Sequence, residues 1–145
     1  MSTMAEMKVK GLDEYIDKLE KLGSKMPEVA KKAVKAGVNP LADEVRKQLE
    51  KNLRGSEYST GDLIDSLGIT PVDEDKNGVY NAKVGFSGYD RKGVPNALKA
   101  RAMESGTSRQ RKKPFMRPAV NRARKKVLAE MGRSIDADLR IYSND

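Results

Sequence analysis

The sequence predicts an α+β fold: a small antiparallel β-sheet packed with a long kinked helix and a C-terminal helix. Three observations carry that expectation. Apolar residues fall at Ala30, Ala33, Val34, Val38, Leu41, Val45, Leu49 and Leu53, the spacing of one helix face over many turns. Tyr80, Ala82, Val84 and Phe86 alternate with polar or small residues just after an Asn77-Gly78 pair, as in a half-buried strand entered from a hairpin turn. A second helical stripe runs through Val120, Ala123, Val127, Leu128, Met131, Ile135 and Leu139.

The remaining elements follow in chain order. Met7 to Lys10 alternates and is expected to form a short strand, and Leu12, Tyr15, Ile16, Leu19 and Leu22 mark a helix that stops near Gly23. The long helix begins near Pro27, a residue suited to a first helical turn. Within it, Pro40 cannot donate to the carbonyl of Ala36, so the helix either kinks there or breaks with Asn39 as a new cap. The stripe keeps its phase across the proline, which favours the kink. Residues 52–60 read as a loop. Ser59 or Thr60 is placed to cap a short helix over Asp62–Leu67, with Asp62 in its positive first turn. Residues 69–72 look strand-like and 73–78 form the turn. Residues 87–96 are a loop, and a short helix over Ala97–Glu104 should bury Leu98, Ala102 and Met103 before Gly106 ends it. Pro118 opens the terminal helix. With no repeat and no linker, residues 1–145 are expected to be one domain, ordered over about 7–140 with flexible ends.

Composition excludes several function classes. The chain of 145 residues has no Cys and no His, which removes thiolate, Ser-His and Cys-His catalysis along with the commonest transition-metal ligands. No enzyme activity, cofactor or metal is expected. Asp73, Glu74 and Asp75 read as solvated turn acids without Ca²⁺-loop spacing. No apolar run approaches the roughly 20 residues of a membrane span, and the N-terminus lacks a signal peptide's apolar block, so a soluble protein made in a cytoplasm is expected.

Charge is the most informative property. The net charge is +8, yet between Lys99 and Lys126 there are eleven Lys or Arg and one acid, Glu104. The rest of the chain holds eighteen cations and twenty acids, so the whole excess lies in this one segment. Its centre, Met103 to Val120, places Glu104, a Gly106-Thr107 turn, Arg109, Arg111, Lys112, Lys113 and Arg117 beside Phe115 and Met116, which are bracketed by Pro114 and Pro118. A phosphate-loop reading fails because G-x-x-x-x-G-K-[ST] is not met. Phe115 and Met116 read either as anchors to the core or as an exposed interface plug. The cations read either as a solvated loop or as a contact for a polyanion or an acidic protein face. Thr60-Gly61-Asp62-Leu63 reads as a turn and helix cap.

These segments occur in the order of a known family. G-L-D-E-Y-I-D-K-L-E-K-L, then Y-S-T-G-D-L-I-D-S-L-G-I, then A-M-E-S-G-T-S-R-Q-R-K-K-P-F-M-R-P-A-V resemble the tail-component family of tailed bacteriophages and prophages, over about residues 7–140. The motif residues are Thr60, Gly61 and Leu63, then Glu104, Gly106, Thr107, Pro114 and Pro118; Ser105 departs from the family, which usually has an aromatic there. The resemblance implies an α+β fold and a virion structural role in head–tail joining or tail completion. It implies a ring, a hexamer among the options, at the neck or upper tail, and no catalytic residues. Implied partners are other neck or tail proteins and further copies of the chain, with non-specific contact to DNA in the lumen as an option and no membrane. The implied location is the virion, with assembly in the host cytoplasm. Arg109, Arg111, Lys112, Lys113, Phe115, Met116 and Arg117 are the candidate partner contacts. A small, non-specific nucleic-acid-binding protein using residues 99–126 is the alternative.

Overall fold

The computed structural model describes residues 5–8, 25–54 and 61–143. The helix expected over Leu12–Leu22 and the capping residues Ser59 and Thr60 lie outside these. The elements are β1 (Ala5–Lys8), α1 (Met26–Leu53), α2 (Asp62–Asp65), β2 (Leu67–Ile69), β3 (Asp73–Glu74), β4 (Tyr80–Phe86), α3 (Asn96–Ser105) and α4 (Met116–Ser143). The architecture is α+β, as the sequence predicts.

Helix α1 is continuous for 28 residues with Pro27 in its first turn and Pro40 inside it. The break at Asn39 does not occur. Every residue of the predicted stripe is buried, from Ala30 to Leu53, and Val29 joins it. Burial of that stripe against α4 and β4 holds the helix together where proline removes a hydrogen bond. The two long helices are antiparallel. Asn52, at the end of α1, touches the residues just before α4, while Lys32, near its start, pairs with Asp138 near the end of α4 at 3.7 Å.

The sheet is built on β4. β1 pairs antiparallel along one side, with Ala5 opposite Val84 and Lys8 opposite Asn81, two residues earlier than the expected 7–10 strand. β2 and β3 lie end to end along the other side, with Leu67 opposite Phe86 and Asp73 opposite Asn81. The strand read at 69–72 is therefore split, and Pro71 falls in the gap. Tyr80, Ala82, Val84 and Phe86 all point into the core, as their alternation predicts. The turn is shorter than the expected 73–78, because Asp73 and Glu74 form β3 and the chain reverses after them. The Asp75 carboxylate accepts the N–H groups of Asn77 and Val79, and Gly78 takes φ 77°.

Several local expectations change. Helix α2 spans only Asp62–Asp65 and starts from Gly61 at φ 84° with no side-chain cap. Helix α3 buries Asn96, Ala100 and Met103, whereas Leu98 is 56% exposed and Ala102 half-buried. Leu98 thus faces away from the core. Helix α4 begins at Met116, which places Pro118 inside its first turn, and Leu128 is 55% exposed beside a stripe of Ala123, Val127, Met131 and Ile135. That stripe advances by four residues at each step, so the neighbour of Val127 is turned outward by about 100°.

Candidate interaction surface

The segment from Glu104 to Arg117 joins α3 to α4, and its backbone is fixed at several points. The Glu104 carboxylate crosses the connection. Its Oε1 accepts the N–H groups of Phe115 and Met116 at 2.9 and 2.8 Å, and its Oε2 accepts that of Arg117 at 3.3 Å. These donors are among the ones that a helix start leaves without an intrahelical acceptor, so Glu104 caps α4 from eleven to thirteen residues away. From the other long helix, the Asn52 amide donates to the carbonyls of Lys113 and Pro114, both at 2.9 Å. The Lys113 N–H donates to the Met103 carbonyl at 2.7 Å, and the Thr107 N–H to the Gln110 carbonyl at 2.9 Å. The Thr107 hydroxyl accepts the Arg109 N–H at 3.2 Å.

Gly106 ends α3 at φ 77° and ψ 172°. A Cβ there would sit 3.0 Å from the Lys112 nitrogen and 3.2 Å from the Gln110 carbonyl oxygen. The returning loop passes where a side chain would be, and only glycine fits both the space and the angles. The far end is held by apolar burial. Phe115 is fully buried and meets Phe86 edge-on with ring centroids 5.7 Å apart; Met116 is 7% exposed. Both are therefore anchors, and neither offers surface to a partner. The motif residues Glu104, Gly106, Thr107 and Pro114 fall within this braced connection, and Pro118 follows it in the first turn of α4.

What the bracing leaves outside is charge. Arg109, Arg111, Lys112, Lys113 and Arg117 are exposed, as are Arg122, Arg124, Lys125 and Lys126 on the first turns of α4. The ion pairs among the described residues engage Lys32, Arg91, Lys99 and Arg133, none of which belongs to that set. Lys99 pairs with Asp90 at 3.0 Å, so one of the eleven cations of the 99–126 segment is neutralised locally. The single acid of the segment, Glu104, is committed to backbone N–H groups.

The second motif has a separate structural role. Leu63 is buried, and Asp62 holds Arg91 through two side-chain hydrogen bonds of 3.0 and 2.9 Å and a third from the Arg91 backbone. Hydrogen bonding and charge from Asp62 raise the Arg91 pKa further. Asp90 next to it accepts the N–H groups of Lys92 and Val94, and these bonds, led by the one from Val94, with Lys99 alongside, hold its carboxyl below the usual aspartate range. The 87–96 loop is thereby tied to both α2 and α3. Asn52, Arg91 and Asn96, whose amide reaches the Ser87 carbonyl, escaped the sequence reading because their partners are distant in sequence or are backbone atoms.

A shallow groove between Asn39–Arg46 of α1 and strand β2 brings together one acid and one arginine beside apolar side chains. Among the described residues no three Asp or Glu side chains gather as a metal site, and no helix is long and apolar enough to cross a membrane.

Comparison with protein families yields one match. The model described as bacteriophage HK97-gp10, putative tail-component, covers residues 13–88, just over half of the chain. Comparison with curated proteins and with solved structures gives no significant match. The family match ends at Gly88, so the braced connection and α4 lie beyond it.

Proposed function

The chain belongs to the HK97-gp10-like family of phage tail components, and on that premise we propose that it acts in head–tail joining or tail completion, assembling as or onto a ring through its basic connection. A tail component is a structural protein of the virion and works against other phage structural proteins. The finer reading rests on one observation. The 104–117 connection is rigidly braced by Glu104, Gly106, Asn52 and Phe115, yet it presents the side chains of Arg109, Arg111, Lys112 and Lys113 without a partner among the described residues. A loop that served only to link two helices would need neither the bracing nor the unpaired charge. Presented this way, four cations on a fixed backbone suit an acidic face of a neighbouring subunit or ring, where electrostatic complementarity sets orientation and association rate. The role is non-catalytic, and its place is the neck or upper tail, reached by assembly in the host cytoplasm.

The test is the triple variant Arg109→Ala, Arg111→Ala, Lys112→Ala, which leaves every bracing hydrogen bond in place. It should fold as the parent does by circular dichroism, while complementation leaves heads and tails unjoined. Normal yields of infectious particles from this variant would refute the assembly role of the connection.

A further inference from the structure

The outer face of the first turns of α4 has no task in the fold. Arg117, Arg122, Arg124, Lys125 and Lys126 are exposed, and no ion pair or hydrogen bond engages their side chains among the described residues; the Arg117 backbone N–H is held by Glu104. The arrangement works against the helix. Arg122 has like charges three and four residues on, at Lys125 and Lys126, and such pairs each cost about 0.2–0.5 kcal/mol. Arg117 lies in the first turn, where the helix dipole disfavours a cation by about 0.3–1 kcal/mol. Farther along, Arg133 follows Glu130 at three residues and the two form an ion pair. The first turns contain no acid of their own, and the Glu104 carboxylate at their start is bonded to backbone N–H groups.

The chemistry of the face discriminates between partners. Protein interfaces draw most of their binding energy from a few aromatic and Arg anchors packed in desolvated pockets, within a largely apolar interface core. Between residues 107 and 127 there is no exposed large hydrophobic side chain; the first is Leu128. Interfaces with nucleic acid are instead polar and strongly positive. Single-strand binders add aromatic platforms on which bases stack, and this face has none. Base-edge reading is not evident either, since the five positions fan over more than half of the helix circumference rather than lining one edge. Arg117 and Lys126 are separated by about 14 Å along the axis, enough to meet several phosphates of a duplex, which carries one charge per about 1.7 Å.

We infer that the outer face of α4 from Arg117 to Lys126 binds the phosphodiester backbone of duplex DNA without sequence preference. This is a function additional to the assembly contact, and it uses helix side chains rather than the braced loop. With about three or four cations engaged at once, the slope of log affinity against log salt is about −2.7 to −3.6.

The experiment is fluorescence anisotropy of a labelled short duplex DNA titrated with the full chain, from about 50 to 200 mM salt. The parent should bind with that slope. Arg122→Ala, Arg124→Ala, Lys125→Ala, Lys126→Ala combined should weaken binding at the lowest salt at least about tenfold and flatten the slope. The loop variant of the preceding section should stay within about twofold of the parent, so DNA binding and head–tail joining are scored on different side chains. Circular dichroism checks that both variants fold, which their exposure favours. No binding by the parent at about 50 mM salt would overturn the inference and leave the face to an acidic protein. Loss in the loop variant with retention in the helix variant would overturn it as well. Equal affinity for a single strand of the same phosphate count would defeat the duplex assignment.

Discussion

Glu104→Ala tests whether the basic connection is held by its only acid. The carboxylate accepts three backbone N–H groups at the start of α4, with two distances below 3 Å. Removing an N-terminal cap costs about 0.5–2 kcal/mol, and removing a negative charge from that end of a helix costs about 0.3–1 kcal/mol more. Glu104 is half-buried, so water replaces part of what is lost, and about 1–2 kcal/mol is the expected net. For a chain of this size each kcal/mol lowers Tm by about 2–4 °C, giving a fall of about 2–8 °C. Glu104→Gln keeps one carbonyl acceptor for Phe115 and Met116 but loses the charge, and should cost about half as much. Thermal melting followed by circular dichroism gives the stability. Amide hydrogen exchange localises it, with Phe115, Met116 and Arg117 exchanging faster in the Ala variant. An Ala variant that melts within 1 °C of the parent, with those amides equally protected, would refute the reasoning.

Gly106→Ala should lower stability by about 1–3 kcal/mol by urea denaturation, because its Cβ would meet two backbone atoms of the returning loop at 3.0 and 3.2 Å and its φ of 77° disfavours any side chain. A loss below about 0.5 kcal/mol would show that the loop moves aside freely. Asp90 gives a pH dependence whose sign is fixed by its depressed folded pKa. Its contribution is present above the ordinary aspartate value of 3.8 and is lost as pH falls through the lower folded value. Asp90→Asn should therefore be less stable than the parent near neutrality, and the difference should shrink in acid. A difference that grows with acidification would contradict the assigned bonding.

What the sequence made legible followed regular burial. The α1 stripe held its phase through Pro40, and the core accepted the helix on that basis. The β4 alternation and the Asn77-Gly78 turn were equally plain because each depends on neighbours a few residues away. Errors arose where two apolar residues competed for one inward position. Val127 and Leu128 are adjacent, and only the one in step with Ala123 and Met131 can face α1. In α3, Ala100 and Met103 reach the core while Leu98 does not, and a ten-residue helix with apolar groups on several sides gives no means of choosing its inner face. The site was legible as composition and motif, not as mechanism. That Glu104 is a cap and Gly106 a point of close backbone approach depends on where the chain returns. Nothing near Asn52 indicates that its amide will meet carbonyls 61 and 62 residues later.

The connection separates two jobs that are usually entangled. Side chains that fix its shape are uncharged or, in the case of Glu104, turned to backbone; the exposed cations around it and on α4 make no bond that the fold requires among the described residues. Folding therefore places few demands on the identity of those cations, and their mutual repulsion gives the isolated chain no advantage. Charge of that kind carries a small penalty in the free protein, and on the readings proposed above an acidic or phosphate surface would compensate it. The same division explains why removing Glu104 and removing the arginines should differ in kind: the first loosens the surface, and the second leaves its shape intact with nothing to bind.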